Sequence, residues 1–409
     1  MTTTDPAPTA SPEPKVGLRT TLTLGLFSAM GPLASDMPLP ALPEITDSLH
    51  ASEMASAATV TVCFAGFAIG QLLVGGLSDR LGRRRPLLVC IGLFLIAGIV
   101  CALAPTIEVL LLGRFLQGVF GAGGVVVARA SVRDIAQGSG AAGLYSRLGM
   151  VTILAPIIAP LLGGQVLRFT SWRGLFWAFT IVVALVFVLA LLLFKESLPP
   201  DQRRPSGGQI ALMRRVLVHP GFGQHLVMSL CQGAVLLSYL TLSSLFLQNE
   251  YGVSAQAYSL LFALAAACMF GAHIVNIRVG PRWGALNMLT GSVSGYFTGA
   301  LLLTIAVLAH APLPLVVIAI MITLALYTPS GPNNMALAMM PFGAAAGTAA
   351  ALLGATQQIA GAVIPTLGSR FGSPGTVMAT IMLAGAAIGL VQIFTFVRPS
   401  VRRERAPFV

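Results

Sequence analysis

Apolar residues come in about twelve runs of roughly 20, each long enough to cross a bilayer, and no water-soluble fold can hide that many. The runs fall near 20–42, 55–77, 86–104, 107–128, 148–168, 174–194, 222–247, 256–277, 285–308, 315–339, 346–368 and 376–397 of a 409-residue chain. Only 9% of the residues are charged and 56% are hydrophobic, against roughly 25% charged in ordinary soluble domains. Mean hydropathy is +0.86. Backbone groups in hydrocarbon must be satisfied within their own segment, so each run is expected to be a helix. The expected fold class is an all-α polytopic membrane protein with twelve transmembrane helices.

Lys and Arg set the orientation, because cationic loops resist translocation. With the N-terminus inside, 20 of the 24 cations fall in the tails and the inward loops. Arg168, Arg173 and Arg370 fall in outward loops, and Arg114 falls inside a span. Both termini are therefore expected in the cytoplasm. The net charge of +11 reads as this bias, suited to anionic lipid headgroups and not to a nucleic acid.

The opening "MTTTDPAPTASPEPKVGL" is polar and Pro-rich and reads as a disordered tail over 1–18, with no cleavable signal. The longest polar interruption, from Lys195 to Gly221, carries Pro, Gly and five cations. It divides the chain into a six-helix bundle at 19–194, a cytoplasmic loop at 195–221 and a second six-helix bundle at 222–397, with a tail at 398–409. A weak echo links "DRLGRRR" after span 2 to "IRVGPRWG" after span 8, sharing Arg-x-Gly at Arg80/Gly82 and Arg278/Gly280. Loops six spans apart correspond in a duplicated six-helix unit.

Several function classes drop out. The five cysteines lie in apolar runs without paired spacing, which argues against disulfides and metal sites. Neither Lys15 nor Lys195 sits in a phosphate-binding Gly-x-x-x-x-Gly-Lys-Ser/Thr loop, so a built-in ATP motor is excluded. No enzyme constellation of His, Ser or metal ligands is apparent, and no cofactor is expected.

A charged side chain in the membrane core costs on the order of 2.5–3.5 kcal/mol, so such residues mark function by default. Twelve of the thirteen acids map to tails, loops or span ends; Asp36, in "ASDMPLPALP", is left within a span. Arg114, in "LLLGRFLQGVFGAGG", is the matching buried cation, followed by Gly118, Gly121, Gly123 and Gly124, which allow close helix approach. The two suggest a shared polar cavity in which Asp36 loads and releases a proton, with burial and Arg114 setting its affinity in opposite senses. A purely structural ion pair is the competing reading.

"GGLSDRLGRRRP" (75–86) resembles the signature loop of the major facilitator superfamily at every position. Gly75, Asp79, Arg80, Gly82, Arg83 and Arg84 are the residues carrying that resemblance, which implies a cytoplasmic gate latch. "RFLQG" is similar to the span-4 motif of proton-coupled antiporters, with Arg114 as its arginine. "APIIAPLLGG" is similar to their span-5 motif, with Pro156, Pro160, Gly163 and Gly164 in place and Ala159 replacing the first glycine. With "ARASVRD" and the stretch from Gly331 to Ala362, the chain resembles the bicyclomycin and chloramphenicol resistance branch, the Bcr/CflA-type drug exporters. Some relatives carry a second acid two turns before the aspartate, where this chain has Ser28. The resemblance implies two six-helix halves in a bacterial inner membrane, drugs and protons as partners, and a monomer.

In that superfamily spans 1, 4, 7 and 10 line the cavity, which nominates Met30, Gln117, Gln232, Tyr239, Tyr327, Asn333 and Asn334 as substrate contacts. Gln357 and Gln358 on span 11 read as helix-contact residues, and His273 on span 8 as structural. The expected function is proton-coupled efflux of amphipathic drugs. Proton-driven uptake of a metabolite and a non-transporting sensor remain as alternatives.

Overall fold

A computed structural model describes residues 18–135, 148, 154–155, 157–203, 209–342, 345–368 and 370–398; the tail assigned to 1–18 lies outside them except for its last residue. Helices dominate, as a bilayer requires. The first half holds α1 (Leu18–Asp36), a short α2 (Leu42–Ser48), α3 (Glu53–Leu81), α4 (Arg84–Ala102), α5 (Ile107–Ile135), α6 (Ile157–Val166) and α7 (Trp172–Leu193). A short helix α8 (Gln209–Leu217) follows inside the central loop. The second half holds α9 (Phe222–Leu245), α10 (Ala255–Trp283), α11 (Ala285–Leu308), α12 (Leu313–Tyr327) with α13 (Ser330–Met339), α14 (Ala346–Gly368) and α15 (Pro374–Gln392).

Ten of these segments, counting α12 and α13 as one, are long and apolar enough to cross a membrane. With the 19-residue α1 and the shorter apolar α6 they make the twelve spans. Lipid replaces water as the solvent of their outer faces, so large apolar side chains point outward. On α7, Leu185, Val188 and Leu192 are 61%, 50% and 74% exposed at helical spacing, a stripe that faces hydrocarbon.

The two halves repeat one plan. Helices α3 and α10 each run 29 residues, start at a serine (Ser52, Ser254) that accepts from the backbone N–H three residues on, and stop at a glycine with positive φ (Gly82 at 89°, Gly284 at 77°). The serine satisfies an orphan helix donor and the glycine adopts a backbone that a β-carbon disfavours. This pairs Arg80/Gly82 with Arg282/Gly284, one helical turn beyond the Arg278/Gly280 match read from sequence. The helix end, not residue similarity, fixes the register.

Each half has its own buried apolar cluster, the first around Phe27, Phe94 and Phe179, the second around Val235, Tyr258 and Tyr296. Leu39, Leu42, Ala57 and Val60 of the first half pack into the second cluster, closing one end of the bundle. Within the first half, α3 and α5 touch backbone to backbone: a β-carbon on Gly118 would collide with the Cys63 carbonyl, and one on Gly66 with the Phe115 carbonyl.

Proline cuts short or breaks two of the expected spans. Span 1 stops at Asp36, because Pro38 and Pro40 supply no amide to extend it. Span 10 breaks at Thr328–Pro329 into α12 and α13.

Gly118→Val is expected to cost about 1–3 kcal/mol through overpacking, lowering the thermal unfolding midpoint in detergent. Gly271→Val, where a β-carbon meets nothing within 4 Å, should leave it unchanged. Equal midpoints for the two variants would contradict the close crossing.

Candidate functional site

A chamber of about 220 Å³ opens between the halves beside Asp36. It is lined by Ser35 and Asp36 of α1, Phe64, Phe67 and Gln71 of α3, Gln117 and Arg129 of α5, Leu240 of α9 and Gln358 of α14. It leads into a wider vestibule of about 600 Å³ whose walls include Gly75, Ser78 and Asp79 on one side and Gly347, Ala351 and Gly354 on the other. The cavity is therefore open at the end that carries the arginine-rich loop.

Local sequence explains how Asp36 is held. Pro38 has no N–H, so the carbonyl of Ala34 lacks its helical donor. Arg114 fills the gap, donating from Nη1 to that carbonyl at 2.7 Å. It also donates to Gln117 Oε1 at 3.0 Å and from Nε to the Thr59 carbonyl at 3.4 Å, with its guanidinium over the Phe176 ring. Asp36 itself accepts from Ser35 Oγ at 2.6 Å. The acid and the arginine are both buried, 4% and 1% exposed, and do not form a direct ion pair. Arg114 grips the backbone two residues before Asp36. Two donors beside the chamber, Arg114 Nη2 and Gln117 Nε2, have no partner among the described residues. Such groups call for an explanation.

The opposite end is sealed by the turn that follows Asp36. Ser244 of α9 donates to the Leu39 carbonyl, Gln248 to the Pro40 carbonyl at 3.2 Å, and Asn249 to Glu53 at 2.6 Å. Thr366 of α14 bonds Thr61 of α3 at 2.9 Å. Gly163 and Gly164 serve the same seal: a β-carbon on Gly163 would strike the Met37 carbonyl and one on Gly164 the Ser259 hydroxyl of α10. Pro160 is buried beside them; Pro156 lies outside the described residues.

At the open end, Arg83 is 2% exposed and bonded to Asp79 at 2.6 Å, Asp134 at 2.7 Å and Ser78 at 3.0 Å. Glu196, just past α7, accepts from the backbone N–H groups of Arg83 (2.7 Å), Leu198 (3.1 Å) and Arg84 (3.2 Å). Arg84 also bonds the Leu191 carbonyl, and Ser197 bonds Asp134. Arg80 is exposed. These bonds lie within the first half and the start of the central loop, so the arginine-rich loop is held to its own bundle while Gly75 and Asp79 face α14 across the vestibule. Burial pushes the Glu196 carboxyl up, but the three N–H donors and Arg203 outweigh it and hold it below the ordinary carboxylate value.

Of the seven nominated substrate contacts, Gln117 lines the chamber. Met30 packs in the first core, Tyr239 stacks on Phe262 at 5.4 Å, and the Tyr327 hydroxyl accepts from Gln357. Asn333 bonds Asn276, Asn334 bonds His225 and Ser229, and Gln232 is buried without lining the chamber. Each fills a seam between helices. His273 on α10 is half-buried.

Sequence reasoning missed Phe64, Phe67, Gln71, Arg129 and Gln358. Arg129 counted as a loop cation, yet α5 runs on to Ile135 and places it on the cavity wall. Polar residues on spans 2 and 11 were the available signal.

The sequence profile of the Major Facilitator Superfamily matches residues 24–365. The chain belongs to that superfamily and is a multi-pass membrane transporter of small molecules, not an enzyme. It is 35% identical over 393 residues to the uncharacterized MFS-type transporter YdgK of Bacillus subtilis (strain 168), covering 94% of this chain and 96% of that one. It is 30% identical to a bicyclomycin resistance protein homolog of Haemophilus influenzae, covering 85% and 87%. Identity to the multidrug resistance protein MdtL of Klebsiella pneumoniae is 28%, covering 90% and 93%. The fold is shared with a bacterial homolog of the human lysosomal transporter Spinster, at a TM-score of 0.73 and 18% identity over 95% of this chain and 98% of that one. A D-xylose-proton symporter shares it at 0.72 and 16%, over 92% and 97%.

A depressed carboxyl stabilises the fold above its unfolded pKa, and that stabilisation fades as pH falls through the folded value. Glu196→Gln is therefore expected to lower the unfolding midpoint at pH 7 by a few degrees, with the gap to wild type closing below about pH 4. An equal gap at both pH values would contradict the assignment.

Proposed function

We propose that the protein is a proton-coupled exporter of amphipathic drugs in the bacterial cytoplasmic membrane, with both termini and the arginine-rich loop inside. One observation supports this reading: Asp36 lines the chamber at the deep end of a cavity that opens beside the arginine-rich loop, the end we assign to the cytoplasm. The relatives named for bicyclomycin and multidrug resistance support the direction of transport. Anionic lipid headgroups suit the basic inner surface, and the assignment treats the transporter as a monomer.

The cycle follows from the geometry. A drug entering the vestibule reaches Phe64 and Phe67, which offer apolar area, and Gln117, whose Nε2 can donate to a drug oxygen. A drug hydroxyl or amide that donates to Asp36 stabilises the carboxylate, and its proton leaves to the cytoplasm. An ionised Asp36 then strains the turn held by Arg114 on one side and by Ser244 and Gln248 on the other. Releasing those α9 bonds opens the outer end. There the drug leaves, Asp36 takes a proton, and the seal reforms. Motion is a rocking of two halves about a central site, so the outer hydrogen bonds and the inner latch are made alternately.

A single proton is sufficient. One charge moved through 100 mV is worth about 2.3 kcal/mol, which supports roughly a 50-fold gradient of a neutral drug. Exchange of one proton for one monovalent cation moves no net charge, so only the pH difference drives it.

In inverted vesicles, neutral drug is expected to evoke proton release from wild type and none from Asp36→Asn. Drug-evoked proton movement in the variant would remove Asp36 from the coupling role. Collapsing the membrane potential at constant pH gradient should slow export of a neutral drug. Export of the neutral drug unaffected by that collapse would rule out the single-proton scheme.

A further inference from the structure

Among the described residues, three side chains line both the chamber and the vestibule: Gln71 of α3, Arg129 of α5 and Gln358 of α14. They mark the neck that any molecule must pass between the cytoplasmic side and Asp36. Two come from the first half and one from the second, so the neck spans the interface that opens and closes. Arg129 is exposed to this space, and the two glutamines are half-buried.

The charges along the route are ordered. Asp36 stands at the inner end, Arg129 at the neck, and Asp79 in the vestibule, where Arg83 holds it at 2.6 Å. Arg129 is thus the one cation among the described lining residues. A like charge brought close to it in a partly desolvated neck is disfavoured by roughly tenfold or more. A guanidinium is a planar fork of donors and stays charged, and each glutamine adds two donors and one acceptor. That set matches nitro, carbonyl, hydroxyl or carboxylate oxygens.

We infer that Gln71, Arg129 and Gln358 form a charge-selecting neck subsite, which takes oxygen-bearing neutral or anionic groups and turns away permanent cations. The inference rests on the export reading and sharpens its substrate class. It also agrees with the serine at position 28, which leaves Asp36 as the one lining carboxylate at depth to offset a cationic cargo.

The test is equilibrium binding to the purified full-length protein in nanodiscs of neutral lipid, with chloramphenicol as the uncharged, oxygen-rich probe and tetraphenylphosphonium as the permanent cation. The readout is the ratio of the two affinities, because a lesion in folding lowers both and leaves their ratio alone. Arg129→Gln is expected to raise the ratio in favour of the cation by roughly tenfold, whereas Arg129→Lys keeps the cation excluded and loses part of the chloramphenicol affinity. Gln358→Glu, on the opposite half, should shift the ratio the same way and stands as an independent variant if Arg129→Gln does not fold. Wild type that binds either probe, with a ratio unmoved in Arg129→Gln and Gln358→Glu, overturns the neck subsite alone. Wild type that binds neither probe overturns the drug-export reading and the drug subsite together.

Discussion

The hydrogen bond from Arg114 to the carbonyl of Ala34 is the contact on which the site depends. It exists because Pro38 leaves that carbonyl without a helical donor, and an unpaired carbonyl at membrane depth is costly. One missing N–H thereby fixes where α1 ends, why a buried arginine is tolerated, and how Asp36 is oriented. The arginine does not neutralise the acid by contact. It anchors the backbone beside it, which leaves the carboxylate facing the chamber with Ser35 as its hydrogen-bond partner.

From that anchor the turn at 37–41 runs straight to the seal between the halves. Its carbonyls at Leu39 and Pro40 are the acceptors for α9, and Met37 lies against Gly163. A change of charge on Asp36 and a change in the seal thus share one short stretch of backbone. Coupling across such a stretch needs no extended pathway, only two arrangements of the turn that both events bias. At the other end the arginine-rich loop is bonded around Arg83 to Asp79 and Asp134, and the N-terminal part of α14, packed against α9, faces it across the vestibule.

The spans were legible because hydrophobic length is a strong signal, and Asp36 and Arg114 because charge at depth is rare. The glycines of α5 were legible for the same kind of reason, since a run of missing side chains in a membrane helix implies close contact. Glu196 and Asp134 were not, because an acid at a span end looks alike whether it caps a loop or faces solvent; three dimensions bring both to Arg83. Tyr239, Tyr327 and Asn334 read as cavity residues in the sequence, and the structure places them against neighbouring helices. Polar and aromatic groups serve helix seams as readily as ligands, and periodicity alone does not say which neighbour a face meets. Arg129 escaped because α5 extends about two turns past the apolar run that defined its span.

The central claim is that the charge of Asp36 decides which end of the bundle is open. Spin labels at Leu81 and Met340, exposed positions on the two halves at the open end, report that directly through their distance distribution in the reconstituted protein. The cycle assigns the protonated acid to the inward-open form, so raising pH should populate a shorter distance in wild type, as the inner end closes. Asp36→Asn should hold the long distance at every pH. A variant that follows the same pH-dependent shift as wild type would contradict the account.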